Sequence, residues 1–218
     1  MRKLLKGIVE FRENIRPGYR ETFARLALGQ SPDALFIACS DSRVVPNLFA
    51  STDPGDLFVI RNVGNLIPCC GADGHSNSDE SEAAAIEFAL GNLNVSDIII
   101  CGHSDCGAMH ALLEGRDKVH LPHLKKWLRH GEDSLAKLGP GSVELSRPNQ
   151  LSQLNVLQQI EHLRSYPLVK KRLESGGLTL HGWWFDLSTA DVYAFEDSLA
   201  RFVLIDKIEA ERILARQQ

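Results

Sequence analysis

C-S-D-S-R at residues 39–43 and C-G-H-S-D-C-G at residues 101–107 are the stretches that decide the fold of this chain. Each begins where a short apolar run stops, A-L-F-I-A at residues 34–38 for the first and I-I-I at residues 98–100 for the second. Short apolar runs of this kind are typical of strands buried inside a parallel sheet. Open α/β sheets bind their ligands at the carboxyl ends of such strands, so both stretches are predicted to lie at that edge.

Three side chains in these stretches are common metal ligands: Cys39, His103 and Cys106. Two thiolates and one imidazole leave the fourth position of a tetrahedral Zn²⁺ open for water, which is the arrangement of catalytic zinc. Cys39 and His103 are far apart in sequence, so two different strands must bring them together. Alternate residues share one face of a strand, which predicts that Asp41 and Arg43 project on the same side as Cys39.

The C-x-D-x-R pattern at residues 39–43, followed by H-x-x-C at residues 103–106, resembles the zinc signature of the β-class carbonic anhydrases. The resemblance extends over residues 30–107, with a weaker match at residues 181–183. It implies a single α/β domain over residues 1–218, with a mainly parallel central sheet flanked by helices. It also implies a zinc lyase that reversibly hydrates CO₂ to bicarbonate and a proton, with one Zn²⁺ per chain.

The resemblance further implies that Asp41 and Arg43 act as a pair. An ionised carboxylate only accepts hydrogen bonds, so Asp41 would orient a zinc-bound hydroxide toward the carbon of CO₂. Arg43 is always cationic and would keep Asp41 ionised. Some β-class enzymes close the site at low pH by letting this aspartate bind zinc, and hold bicarbonate at an inhibitory site that includes a tryptophan. Phe36 stands at that tryptophan's position, so the open form is predicted at neutral pH, with Asp41 a zinc ligand only in a closed site.

Substrate contacts are likewise implied by the resemblance, here to the plant-type branch of the family. Phe58, Val63 and Phe88 would line an apolar pocket for CO₂, and Gln30 would be a polar group near the substrate. Part of this lining would come from a second subunit across a dimer interface. Gly107 would let the backbone approach the ligand on the metal. Phe88 departs from the tyrosine that is common at its position, which puts any hydrogen bond of that hydroxyl in doubt but not the zinc chemistry.

Charge and hydropathy exclude several classes of partner. The net charge of the 218 residues is only −4, which suggests neither a nucleic-acid partner nor an anionic membrane. No apolar run approaches the ~18 residues of a transmembrane helix. Glu10 and Glu13 interrupt the N-terminal region before an apolar core of signal-peptide length forms, so a cytoplasmic protein is predicted.

The first 30 residues are predicted to form two helices, separated at Pro17. The first carries an apolar stripe that includes Leu4, Leu5 and Ile8. The family resemblance suggests that this helix packs on a neighbouring subunit, which predicts a homodimer or a homotetramer.

Periodicity predicts the other elements. Strands are expected over residues 34–39, 57–60, 98–101, 178–185 and 192–195. A turn at residues 102–105 is expected to open a helix that runs to about residue 114, and residues 120–138 are expected to contain another helix. Further helices are expected over 80–90, 150–165, 168–174 and from 199 to the end. Residues 46–50 are expected to make a short helical turn, and residues 68–79 a loop rich in Gly, Ser and Asn.

The remaining cysteines and histidines offer no second site by themselves. Cys101 is interpreted as a small buried hydrophobe, whereas the adjacent Cys69 and Cys70 are either redox-active or, on our preferred interpretation, incidental thiols in a reducing cytosol. Five other histidines are interpreted as surface or packing residues: His75, His110, His120, His123 and His130. One exposed histidine could still carry the proton out of the site, and the sequence does not select which.

Two other functions fit the same ligand set. One is a hydrolase that attacks CS₂ or COS. The other is a non-catalytic protein stabilised by zinc, with Asp41 as a fourth ligand, which would unfold on chelation. The Arg61–Asn65 loop could pass for a phosphate-binding loop, but it lacks the Gly-rich spacing and the Lys-Ser/Thr of a P-loop, so nucleotide binding is not predicted.

Overall fold

A six-stranded sheet forms the centre of the computed structural model, which describes residues 1–78, 80–140 and 145–216. The strands are β1 (Ala34–Cys39), β2 (Leu57–Asn62), β3 (Asp97–His103), β4 (Thr179–Asp186), β5 (Asp191–Glu196) and β6 (Arg201–Leu204). Their order is β2-β1-β3-β4-β5-β6. The first four are parallel, and β5 and β6 are antiparallel to their neighbours. The predicted α/β class with a mainly parallel sheet is confirmed.

Helices cover the sheet and account for its buried strands. They are α1 (Arg2–Glu10), α2 (Arg16–Leu26), α3 (Pro46–Phe49), α4 (Glu80–Gly91), α5 (Gly107–Glu114), α6 (Pro122–Trp127), α7 (Glu132–Ala136), α8 (Arg147–Arg164), α9 (Pro167–Glu174) and α10 (Lys207–Ala215). Every residue of β1 is buried, as expected for a parallel strand covered on both faces. None of the described helices combines the length and the apolar character needed to cross a bilayer.

Two of the predicted element boundaries are wrong. Pro17 does not interrupt the first helical region, because a π-helical turn at Phe11–Ile15 joins α1 to α2. Pro17 itself lies in the first turn of α2, where a helix tolerates a residue without a backbone N–H. The C-terminal segment is not helical from residue 199 onward, since β6 precedes α10. Phe202 on β6 packs edge-to-face on Phe195 of β5, with ring centroids 5.4 Å apart, and this cross-strand contact favours a strand there.

Helix α8 packs closely on the end of β3 that carries His103. A Cβ atom added at Gly102 would lie 2.7 Å from Cγ2 of Val156, so the glycine permits this approach. On the same helix, the Ser152 hydroxyl donates a hydrogen bond of 2.7 Å to the carbonyl of His103. Position 102 therefore sets the distance between α8 and the carboxyl edge of the sheet.

Substituting Gly102→Ala is expected to lower the free energy of unfolding by about 1–3 kcal/mol, because the added methyl group overpacks this contact. Urea titration measures the loss. The control is Gly91→Ala at the end of α4, where a Cβ would meet nothing within 4 Å. Equal urea midpoints for the two variants would contradict this view of the contact.

A buried carboxylate at the end of β5 contacts α10 and the residue that follows this helix. Glu196 is 2% exposed, and its Oε2 lies 2.6 Å from Nη2 of Arg212 and 2.8 Å from Nη1 of Arg216. Hydrogen bonds from Ser198, then from Arg216 and Arg212, lower the pKa of Glu196 to about 2. The ionised form of Glu196 therefore stabilises the folded state.

Removing this charge with Glu196→Gln is expected to destabilise the protein at neutral pH but hardly at all in strong acid. The pKa of Glu196 is depressed from 4.5 to about 2 on folding, so its contribution is complete above the unfolded value and is lost as the pH falls through the folded one. The check is the difference in urea midpoint between wild type and variant across the acid range. A difference that stayed constant with pH would contradict the assignment.

Candidate metal centre

The three predicted zinc ligands meet at the carboxyl edge of the sheet. Cys39 ends β1, His103 ends β3, and Cys106 is the residue that precedes α5. One ligand atom from each lies within 4.8 Å of the other two, and all three side chains are buried. We call this group the ligand triangle. The parallel pairing of β1 with β3 brings the two strand ends side by side.

His103 is oriented as a metal-binding histidine. Its Nδ1 lies 2.8 Å from the carbonyl oxygen of Ser104, so Nδ1 donates and Nε2 keeps its lone pair. Nε2 is buried and has no hydrogen-bond partner in the described part of the chain. An orphaned buried nitrogen costs about 1–3 kcal/mol, and a metal ion at the ligand triangle would remove that cost. The residues present therefore fit a zinc ion.

The two thiols of the triangle form an interacting pair. The hydrogen bond from Cys106 is the largest effect that lowers the pKa of Cys39, and the backbone N–H of Gly64, which lies 3.3 Å from its sulfur, acts in the same direction. The same hydrogen bond, together with burial, raises the pKa of Cys106. The backbone N–H groups in the first turn of α5 act in the opposite direction and lower it. Metal ligation requires both sulfurs as thiolates, so zinc binding at the triangle would release protons. Thiolate and imidazole donors are those that zinc prefers.

Asp41 stands beside the triangle and is held by Arg43. Nε and Nη2 of Arg43 donate to the two carboxylate oxygens over 2.9 and 2.8 Å, and the backbone N–H of Arg43 adds a bond of 2.9 Å. These bonds are the main reason why the pKa of Asp41 lies well below its usual range. Oδ2 of Asp41 lies 3.9 Å from Nε2 of His103, so a carboxylate oxygen faces the space in front of the ligand triangle.

Two further residues support this pair and were not predicted. Arg61 donates to the carbonyl oxygens of Cys39 and Asp41 over 3.0 and 2.6 Å, and thus anchors the backbone of the first metal stretch. Asp105 accepts from Arg43 through its carbonyl oxygen, at 3.2 Å, and more distantly through its carboxylate, at 3.4 Å. The position of Arg61 near the end of β2, beside β1, could have indicated from the sequence that it supports the metal centre. For Asp105 the sequence offered no such indication beyond its place in the motif. The residue has a φ of 53°.

The predicted substrate residues fall into two groups, at opposite ends of the sheet. Val63 and Gly107 adjoin the ligand triangle, and a Cβ atom at Gly107 would meet nothing within 4 Å. Phe58 and Phe88 contact each other, with ring centroids 5.7 Å apart. Phe58 pairs in register with Leu35, four residues before Cys39, which is roughly 13 Å along the strand.

Gln30 lies before the start of β1 and is exposed. It therefore shares the amino end of the sheet with Phe58 and Phe88. Within one chain, none of these three side chains is brought to the ligand triangle.

The other cysteines are free, and each differs from the triangle. Cys101 is fully buried in β3, and burial raises its pKa. Cys69 and Cys70 are half-buried, and burial is the main cause that raises both of their pKa values, so neither is activated as a thiolate.

Two of the histidines differ in their surroundings. His110 is exposed and lies 2.8 Å from the carboxylate of Asp105, which links it to Arg43. His130 is buried, and burial lowers its pKa to about 4.

Known proteins resemble this chain over most of its length. A family model described as carbonic anhydrase matches residues 34–192. A carbonic anhydrase of Pseudomonas aeruginosa is 40% identical over 205 residues, which cover 93% of this chain and 91% of that protein. A carbonic anhydrase of Synechocystis sp. is 41% identical over 212 residues, which cover 93% of this chain and 74% of that protein.

Solved structures resemble it in the same way. The β-carbonic anhydrase CcaA superposes with a TM-score of 0.85 at 39% identity, covering 94% of this chain and 98% of that one. One of two tetrameric β-carbonic anhydrases from Sordaria macrospora gives a TM-score of 0.71 at 30% identity, covering 89% of this chain and 97% of that one. The matched residues include both strand ends that carry the ligand triangle.

Proposed function

Because this chain belongs to the β-class carbonic anhydrase family, we propose that it hydrates CO₂ at the ligand triangle with the help of Asp41 and Arg43. The observation that carries the proposal is the buried, unpartnered Nε2 of His103, which lies 3.9 Å from a carboxylate oxygen of Asp41. A ligand atom and a proton acceptor thus face the same space.

Cys39, His103 and Cys106 would hold one Zn²⁺ per chain. The ion, when bound, lowers the pKa of a water toward about 7 and so supplies a nucleophile near neutral pH. The Ser104 carbonyl fixes the ring of His103, and the Gly64 N–H stabilises the charge on Cys39. Both contacts orient the ligand atoms for metal binding.

Asp41 would select and orient the attacking water. Its carboxylate can only accept, so the water must donate to it and turn an oxygen lone pair toward CO₂. The two-pronged contact with Arg43 keeps the carboxylate ionised and occupies lone pairs that it would otherwise offer to the metal. We therefore propose an open site at neutral pH, with Asp41 as a hydrogen-bond acceptor and not as a zinc ligand.

Substrate binding would require two subunits. Val63 and Gly107 of one chain would flank the reacting CO₂, and Gln30, Phe58 and Phe88 would come from a neighbouring chain, since within one chain they lie at the other end of the sheet. CO₂ is small and apolar, so exposed apolar side chains such as Phe88 and Val63 suit it.

The exposed N-terminal helix supports a homodimer or homotetramer. No residue of α1 is buried, and Leu4, Leu5 and Ile8 are each more than half exposed. A second copy would cover this stripe, as the family resemblance implies. Light scattering during size-exclusion chromatography measures the mass of the assembly. A monomer at the concentration of the activity assay would contradict this part of the proposal.

We further propose that residues 1–218 act as one domain in a reducing, cytoplasmic setting. The reason is chemical: two of the zinc ligands are thiols, and oxidation of either would remove a ligand. The other three cysteines are free as well.

The test of the function is stopped-flow CO₂ hydration between about pH 6.5 and 9, with zinc content measured on the same sample. We expect one zinc per chain and a rate that rises with pH. One zinc per chain without CO₂ hydration over this range would refute the proposal. Hydrolysis of CS₂ or COS by the same sample would then identify the sulfur substrates as the true ones.

A further inference from the structure

A buried polar contact network reaches the metal centre from helix α8. It begins at Gly64, whose backbone N–H points at the sulfur of Cys39 over 3.3 Å. Gly64 has a φ of +83°, and a Cβ atom added there would lie 2.8 Å from that of Ala108. The loop is therefore pressed against α5, and the direction of the Gly64 N–H depends on how its backbone is held.

Asn155 on α8 holds that backbone. Its Nδ2 donates to the carbonyl oxygen of Gly64 over 3.1 Å, and the side chain is 1% exposed. The N–H and the carbonyl of Gly64 lie on either side of one α-carbon. Fixing the carbonyl thus limits the rotation that would turn the N–H away from Cys39.

The amide of Asn155 is itself oriented by two other buried side chains. Its Oδ1 accepts from the hydroxyl of Ser134 over 3.1 Å and from Nε2 of Gln159 over 2.9 Å. Both of these residues are fully buried. Since two donors meet Oδ1, the NH₂ group must face Gly64. Gln159 also accepts from the backbone N–H of Ile67 over 2.7 Å, which ties the same helix to the far end of the loop.

We propose that Asn155 is a positioning residue for the metal centre, which acts through Gly64 on the thiolate of Cys39. An N–H directed at a thiolate stabilises its charge and sets how much charge it donates to a metal. Loss of such outer contacts typically weakens metal binding by about 10–100-fold. This inference rests on the proposed zinc site, but it concerns metal affinity and not the rate of CO₂ hydration.

The test measures zinc affinity by competition with a chromophoric chelator, and the sulfur-to-metal charge-transfer band of the Co²⁺-substituted protein. Asn155→Leu removes the donor while keeping the branching and the number of heavy atoms of the side chain. Asn155→Ser is the milder variant, because its hydroxyl can still pair with Ser134 or Gln159 but is too short to reach Gly64. We expect both to weaken zinc binding by about 10–100-fold and to shift the Co²⁺ band.

The matched control is Tyr166→Phe. It deletes a buried hydrogen bond of 2.8 Å to the carbonyl of Pro68, in the same segment but away from Cys39. It should destabilise the fold while leaving zinc affinity and the Co²⁺ band unchanged. The inference is overturned if an Asn155 variant that folds binds zinc like wild type, or if Tyr166→Phe weakens zinc binding equally. A wild-type protein that binds no zinc would instead refute the proposed function.

Discussion

Asp41→Asn is expected to lower the kcat/KM of CO₂ hydration by about 10²- to 10⁴-fold while zinc content stays at one per chain. The amide keeps the size of the carboxylate but places an N–H₂ group where an oxygen accepted. The attacking water then has no obligate acceptor and can turn its lone pair away from CO₂. Stopped-flow rates and metal analysis on one preparation separate this effect from loss of the ion.

Asp197→Asn is the control for this substitution, because it removes an exposed carboxylate outside the metal centre. It should leave the rate unchanged. A wild-type kcat/KM for Asp41→Asn would mean that Asp41 does not orient the attacking water. Loss of zinc from the variant would instead indicate that Asp41 is a ligand and that the site is closed.

Cys106→Ala is expected to abolish zinc binding and CO₂ hydration together. Cys106 is 1% exposed and its sulfur belongs to the ligand triangle, and two remaining ligands hold zinc far more weakly than three. The fold should persist, since apolar clusters away from the triangle, such as that around Ile37, Ile98 and Ile100, do not depend on the metal. Metal analysis and circular dichroism on the same sample check both statements.

Cys101→Ala is the matched control for this prediction, because it also removes a buried thiol from the same region but not a ligand. It should keep one zinc per chain and near wild-type activity, with a small loss of stability. Full zinc content in Cys106→Ala would contradict the ligand set. Unfolding of Cys106→Ala beside a folded Cys101→Ala would favour a zinc that stabilises the fold.

Much of the centre was predictable because its information is local. The apolar runs before Cys39 and near His103 identify buried strands, and parallel strands present their carboxyl ends at one edge. Residue chemistry then selects the metal ligands, since thiolate and imidazole at matching strand ends have few other uses. The spacing of Asp41 and Arg43 placed them on one side of the strand, the family resemblance implied that they pair, and the two side chains do form a two-pronged contact.

Other features depended on which side chains meet across the fold. The roles of Arg61, Asp105 and Asn155 rest on contacts with residues far away in sequence, and periodicity carries no record of such partners. The strand β6 is similar, because its pairing with β5 overrode a helical pattern. The sequence alone thus determined the class of fold and the atoms offered to a metal. Only the tertiary structure decided how those atoms are oriented, because buried hydrogen bonds between residues distant in sequence fix their orientation.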